Sequence, residues 1–143
     1  MDDQKRHLEE AVAALYRAIS FTDGRGPDWD ALRRLMHPQA HFGPAGAAFS
    51  YPTVEEFVER AAKGMASLQS FDEIGLAQRV EQFGRIAHVF TSYRTIVNGG
   101  GVSERGINSM QFVRDGDSWR CLSMIWDVES ASLALPADMQ SGG

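Results

Sequence analysis

A chain of 143 residues, 43% of them hydrophobic and 23% charged, suits one globular domain that buries a core without covalent staples. Its formal charge of −5, from 19 acidic and 14 basic side chains with no Lys or Arg cluster, argues against a nucleic-acid partner. The single cysteine, Cys121, excludes an internal disulfide or a thiolate metal cage. That thiol suits a reducing, cytoplasmic setting. The charged opening Met1 to Arg6 lacks a signal peptide's apolar stretch, and no apolar run approaches the ~20 residues of a membrane span.

From Asp3 to about Ser20, Leu8, Val12, Leu15 and Ile19 recur at spacings of four, three and four, which predicts a helix with one apolar stripe. Tyr16 falls on the flank of that stripe, so its ring can be buried while its hydroxyl reaches a cavity edge. Thr22 to Pro27 ends the helix. A second, shorter helix starts with Asp28 as cap, carries Trp29, Leu32, Leu35 and Met36 inward, and is stopped by Pro38. His37 to Phe42 reads as a short extended piece, followed by Gly43-Pro44-Ala45-Gly46 as a rim loop. Thr53 and Glu56 form a capping box, and Val54, Phe57, Val58, Ala61, Met65 and Leu68 continue it as a third helix.

From Phe71 the texture becomes β, with strands predicted near 71–82, 86–97, 105–114 and 119–129, separated by Gly84, by Asn98 to Gly101 and by Asp115-Gly116. The last two flank Asp115-Gly116-Asp117-Ser118 and make a hairpin. Neither alternates cleanly, so both faces of this hairpin are expected to be at least partly covered. Helices first and a mostly antiparallel meander after predict an α+β domain over 1–129, with 130–143 as a flexible tail.

On the first hairpin strand Asn108, Met110 and Phe112 share one face, against Ile107, Ser109, Gln111 and Val113. With the first set inward, Asn108 is a lone amide among soft apolar groups, a composition that suits a small-ligand pocket. On the second strand Trp119, Cys121, Ser123, Ile125 and Asp127 oppose Arg120, Leu122, Met124, Trp126 and Val128, and the pattern leaves open which set is inside. Trp126 is a pocket wall or a dimer anchor, and Asp127 a pocket acid or a solvated strand end. His41 and His88 stand in strand contexts that could point a titratable imidazole inward. No His-x-His or His-Glu-x-x-His spacing exists, so no metal site is expected, and Gly99 to Gly101, without the strand-before, helix-after context of a phosphate loop, reads as a flexible hairpin connection; any chemistry is expected to be acid–base work without a cofactor.

Tyr16, the run Leu35-Met36-His37-Pro38, Gly106-Ile107-Asn108 and the hairpin through Asp115-Gly116-Asp117-Ser118-Trp119 together resemble the SnoaL-like family of the nuclear transport factor 2-like superfamily, over roughly residues 5 to 129. The resemblance implies a strongly curved, mixed sheet wrapped around a helix as a cone with an apolar pocket, often dimeric through the sheet's outer face. Relatives include isomerases, dehydratases, epoxide hydrolases, polyketide cyclases and subunits without catalysis. Against the distantly similar ketosteroid isomerase, Tyr16 matches the hydroxyl donor, but the base would fall at Gly43-Pro44 and the acid near Met110, where no carboxylate stands. An epoxide-hydrolase-like set would draw on Asp127 and Arg105, with Glu104 or Glu129 as second acid. The expectation is a homodimer that binds a mostly apolar small molecule, with Tyr16, His41 and Asp127 as catalytic residues and His88, Asn108, Met110, Phe112 and Trp126 around the ligand. The alternative is a non-catalytic binding or assembly module.

Overall fold

The computed structural model describes residues 2–46 and 48–141. Helix α1, Asp2–Ile19, buries the predicted stripe: Leu8, Val12 and Leu15 are all inside the core. Asp28 caps α2, Trp29–Leu35, by accepting the N–H of Ala31 at 3.0 Å. Met36, expected as the last inward residue of α2, instead opens strand β1, Met36–Pro44, in extended backbone. Pro38 has no N–H to continue the helical ladder and disfavours helical backbone just before it, so the chain straightens at once. Gly43 and Pro44, expected in a loop, pair as strand with Ile125 and Trp126. Helix α3, Val54–Met65, carries the full capping box, in which Glu56 Oε1 accepts from Thr53 N at 2.9 Å and Thr53 Oγ1 accepts from Glu56 N at 3.3 Å. Leu68 lies past its end.

Strands β2 (Phe71–Phe83), β3 (Ile86–Val97), β4 (Val102–Asp115) and β5 (Ser118–Val128) form the antiparallel meander, with β1 added beside β5 in parallel. The order β1-β5-β4-β3-β2 makes a mixed five-stranded sheet. The hairpin turn is Gly116-Asp117, with Gly116 at φ 63° where a two-residue connection needs a left-handed residue. α1 packs across β2 and β5, and α3 lies on β1.

Single-residue irregularities bend this ladder. β2 carries an extra residue between Gly75 and Gln78, β4 one at Ser103, and β5 one at Leu122. Each such bulge sharpens the local twist and curls the sheet around α1. The bulge at Leu122 also exchanges faces: Trp119 and Cys121 point inward before it, Met124 and Trp126 after it. Neither alternating set of β5 is therefore inside along its whole length.

Of the tail expected to be flexible over 130–143, residues 142 and 143 lie outside the described residues, 130–134 are exposed, and the part around Leu135 to Met139 is docked. Leu135 and Met139 are 5% and 1% exposed, Leu135 N donates to Glu129 Oε2 at 3.3 Å, and Asp138 pairs with Arg79 at 3.0 Å. Two apolar side chains buried from a short segment hold it against the strands. Among the described residues no helix is long and apolar enough to cross a membrane.

Candidate functional site

A cavity of about 260 Å³ lies between α1 and the concave face of the sheet. Its two sides differ in chemistry. α2, β1, α3 and β5 supply an apolar wall of Leu32, Phe42, Phe57, Met65, Met124 and Trp126, in which Phe57 meets Trp126 edge to face at 6.2 Å. α1, β2, β3 and β4 supply the polar groups: Tyr16, Glu73, Tyr93, Glu104 and Asn108.

Tyr16 and Glu73 are brought together by the end of α1. The Ser20 hydroxyl donates to the Tyr16 carbonyl at 2.8 Å and accepts the Glu73 N–H at 3.0 Å, while Phe21 and Phe71 exchange backbone hydrogen bonds of 2.8 and 3.0 Å. The helix is thereby tied to the first turn of pleat in β2, where Phe71 and Glu73 face inward on alternate positions. Gly75 follows, and a Cβ there would lie 3.0 Å from the Tyr16 ring, so glycine lets the helix approach.

The Tyr16 hydroxyl lies 2.9 Å from Thr91 Oγ1 and accepts from Asn108 Nδ2 at 3.3 Å. Asn108 thus fills one lone pair of the phenol oxygen and leaves the phenol proton for Thr91 or a ligand. Burial holds the Tyr16 phenol well above its ordinary range, against the opposing pull of Thr91 and Asn108. Burial also raises the Glu73 carboxyl from its ordinary 4.5 to about 7; the Glu104 charge adds to this and the Asn108 amide opposes it. The residual accessibility of Glu73 faces the cavity and a shallower groove between α1 and β2, both of which it lines. Tyr93 donates to Glu104 Oε2 at 3.1 Å, and burial, then the Glu104 and Glu73 charges, keep its hydroxyl protonated. Tyr93 can lie across β4 because Gly106 has no Cβ, which would stand 2.6 Å from the Tyr93 oxygen.

Of the residues singled out from the sequence, Tyr16, Asn108, Met110 and Trp126 line this cavity. Phe112 is buried in the apolar core beyond it. His88 sits on the opposite face of the sheet, its Nε2 3.0 Å from Ser109 Oγ. His41 lies with Nδ1 3.1 Å from Gln39 O and its ring stacked on Tyr51 at 5.1 Å. Asp127 is exposed, and its carboxylate accepts the N–H of Val128 at 2.9 Å. Arg105 is engaged by Glu129 through two hydrogen bonds of 2.8 and 2.7 Å, so Asp127 and Arg105 do not converge. Cys121 is a buried thiol pushed up to about 12 by burial, which keeps it unreactive.

Sequence reasoning did not find Glu73 or Tyr93. The available signal was period two: Phe71 and Glu73 in β2, and Val89, Thr91, Tyr93 and Thr95 in β3, lie on single faces. Among the described residues no group of three or more His, Cys, Asp or Glu is placed to hold a metal.

No protein-family model matches the chain, and no curated protein matches it in sequence. Solved structures do match. A candidate dehydratase of the NTF2-like family from Streptomyces avermitilis superposes with a TM-score of 0.72 at 18% identity, over 91% of this chain and 99% of that one. An NTF-2 like protein of unknown function from Silicibacter pomeroyi gives 0.67 at 16% identity, over 90% and 98%. A candidate aromatic ring hydroxylase from Novosphingobium aromaticivorans gives 0.68 at 14% identity, over 91% and 92%. At such identities the likeness shows the fold, the α+β cone with its curved, open sheet.

Proposed function

We propose that this chain, built on the nuclear transport factor 2-like cone, is a pocket protein of the SnoaL-like branch that binds a small, mostly apolar molecule and moves a proton on it without a cofactor. The observation that carries the reading is Glu73, a carboxyl raised to about 7 on the wall of an otherwise apolar cavity, beside a phenol and an amide. A group that titrates near neutral pH can both take and return a proton, which is what general acid–base catalysis requires.

The roles follow from placement. Glu73 removes a proton from the carbon or oxygen of the bound molecule and delivers it to a neighbouring atom. The hydroxyl of Tyr16, supported by Asn108, donates to the oxygen on which negative charge develops during that transfer. Met110 and Trp126 hold the apolar body. Isomerisation by a proton shift and dehydration of a β-hydroxy carbonyl compound both fit this set, and the name of the Streptomyces avermitilis neighbour leans toward the second. The reading includes a cytoplasmic setting and a homodimer through the outer face of β3 to β5, where Phe90 and Ile125 are half-buried. Light scattering should return twice the chain mass.

The test is turnover on a panel of enones and β-hydroxy carbonyl compounds. Glu73→Gln should lose activity by roughly 10²-fold or more while still binding the substrate. Undiminished turnover in that variant overturns the role of Glu73. Binding without turnover in the unaltered protein supports the non-catalytic binding module instead.

A further inference from the structure

We propose that the ligand of this cavity carries a positive charge, an apolar amine whose ammonium group sits between Glu73 and Glu104. The inference rests on the cavity being the ligand site, and not on turnover.

Two carboxyl groups and two phenols line the cavity, and among the described lining residues there is no Lys, Arg or His. Several acids elsewhere on the protein are held by cations, as Glu129 is by Arg105, Glu55 by Arg33 and Asp138 by Arg79. Glu73 and Glu104 instead stand on β2 and β4, both in register with Thr95 of the strand between them, and both line the cavity, while Glu73 also borders the groove between α1 and β2. Tyr93 stands where both charges reach it, and the Glu104 charge acts on Glu73. Burial makes ionisation of Glu73 costly, the Glu104 charge adds to that cost, and no Lys, Arg or His among the described lining residues of the cavity offsets it. A ligand cation supplies what the chain does not.

The remaining chemistry points the same way. An ammonium has three N–H donors and no acceptor, enough to bond both carboxylates at once. The opposite wall, with Phe42, Phe57 and Trp126, suits the apolar body of the amine. A carboxylate ligand would find like charge and no basic partner. A neutral ligand would leave the acid pair as it is. The space of about 260 Å³ is below the range of drug-sized sites, so the amine is small.

Three probes of similar shape test the charge: phenethylamine, 3-phenylpropanoate and propylbenzene. Entry into the cavity is read from the methyl resonances of Met110 and Met124, and affinity and proton release from calorimetry at pH 6 in two buffers of different ionisation enthalpy. Phenethylamine should bind at least about tenfold more tightly than 3-phenylpropanoate. It should also release protons, because at pH 6 most Glu73 is protonated and the ammonium displaces that proton. Glu73→Gln should abolish the release and the preference, and Glu104→Gln should reduce the preference. Equal or tighter binding of 3-phenylpropanoate, or amine binding without proton release, overturns the proposal. If propylbenzene shifts both methyl resonances while the amine shows no advantage, the pocket stands and the charge assignment fails. If none of the three shifts them, the pocket reading fails with it.

Discussion

Glu73 and Glu129 are two glutamates of one curved sheet whose ionisation moves in opposite directions. Glu129, just past β5, is met by the planar fork of Arg105, whose two hydrogen bonds hold its carboxyl below the ordinary range. Glu73, facing the cavity from β2, has no cation and is raised to about 7, chiefly by burial. Residue type is the same in both; the partner and the solvent differ. A glutamate with an arginine fork and solvent at hand is a surface ion pair, whereas the buried Glu73, without a cation, is a group able to exchange a proton near neutral pH.

Glu73→Gln should have the strongest effect on stability. In the folded protein this carboxyl holds its proton until about pH 7, whereas in the unfolded chain it ionises near the ordinary 4.5. Its contribution to stability is therefore fully present below about 4.5 and lost as the pH rises through 7, a cost of about 3 kcal/mol above that window. A neutral amide removes the cost, so Glu73→Gln should be more stable than the unaltered protein at pH 8 and indistinguishable from it at pH 4, as read from urea midpoints. A destabilised variant at pH 8 would mean that Glu73 is ionised and well solvated there, and the contrast with Glu129 would be gone.

Gly106→Ala attacks the placement of the interior acids. The added methyl would collide with the Asp127 carbonyl and the Tyr93 hydroxyl, so about 2 kcal/mol of destabilisation is expected, with Tyr93 pushed off Glu104. Chemical denaturation together with ultraviolet titration of the tyrosines checks both parts. Tyr16→Phe is milder. It leaves Thr91 and Asn108 without their buried partner and should cost about 1 to 2 kcal/mol, with a larger loss in any turnover than in binding.

The smallest effect belongs to the outside. Glu129→Gln should change stability at pH 7 little, because the pair it breaks is partly solvated. The sign is opposite to that at Glu73: the Glu129 contribution is present above the ordinary carboxylate range and is lost as the pH falls below it. Comparing the two variants over a pH series in urea would show slopes of opposite direction; parallel slopes would break the comparison.

How much of this was legible beforehand differs from element to element. The stripe of Leu8, Val12 and Leu15, the Asp28 cap and the Thr53 to Glu56 box all appear where their spacing put them. The strands from Phe71 onward match the predicted spans to within a few residues. Tyr16, Asn108, Met110 and Trp126 stand out in the sequence and line the cavity, but Glu73 does not stand out, because Asp72-Glu73 reads as two adjacent surface charges. Only the register of β2 against β3 and the Ser20 clamp on α1 decide which of the two looks inward.

The chain's own order of residues determined the helices, their caps, the turn positions and the count of meander strands, since periodicity and capping act over a few neighbouring residues. Tertiary structure alone decided that β1 joins β5 in parallel, that Leu122 is an extra residue which turns Met124 and Trp126 inward, and that Leu135 and Met139 dock. It also decided the acidity of Glu73, because the groups that desolvate and surround it come from α1, β3 and β4. A strand's side chains alternate with period two, so one inserted residue reverses every face beyond it, and no local pattern records the insertion.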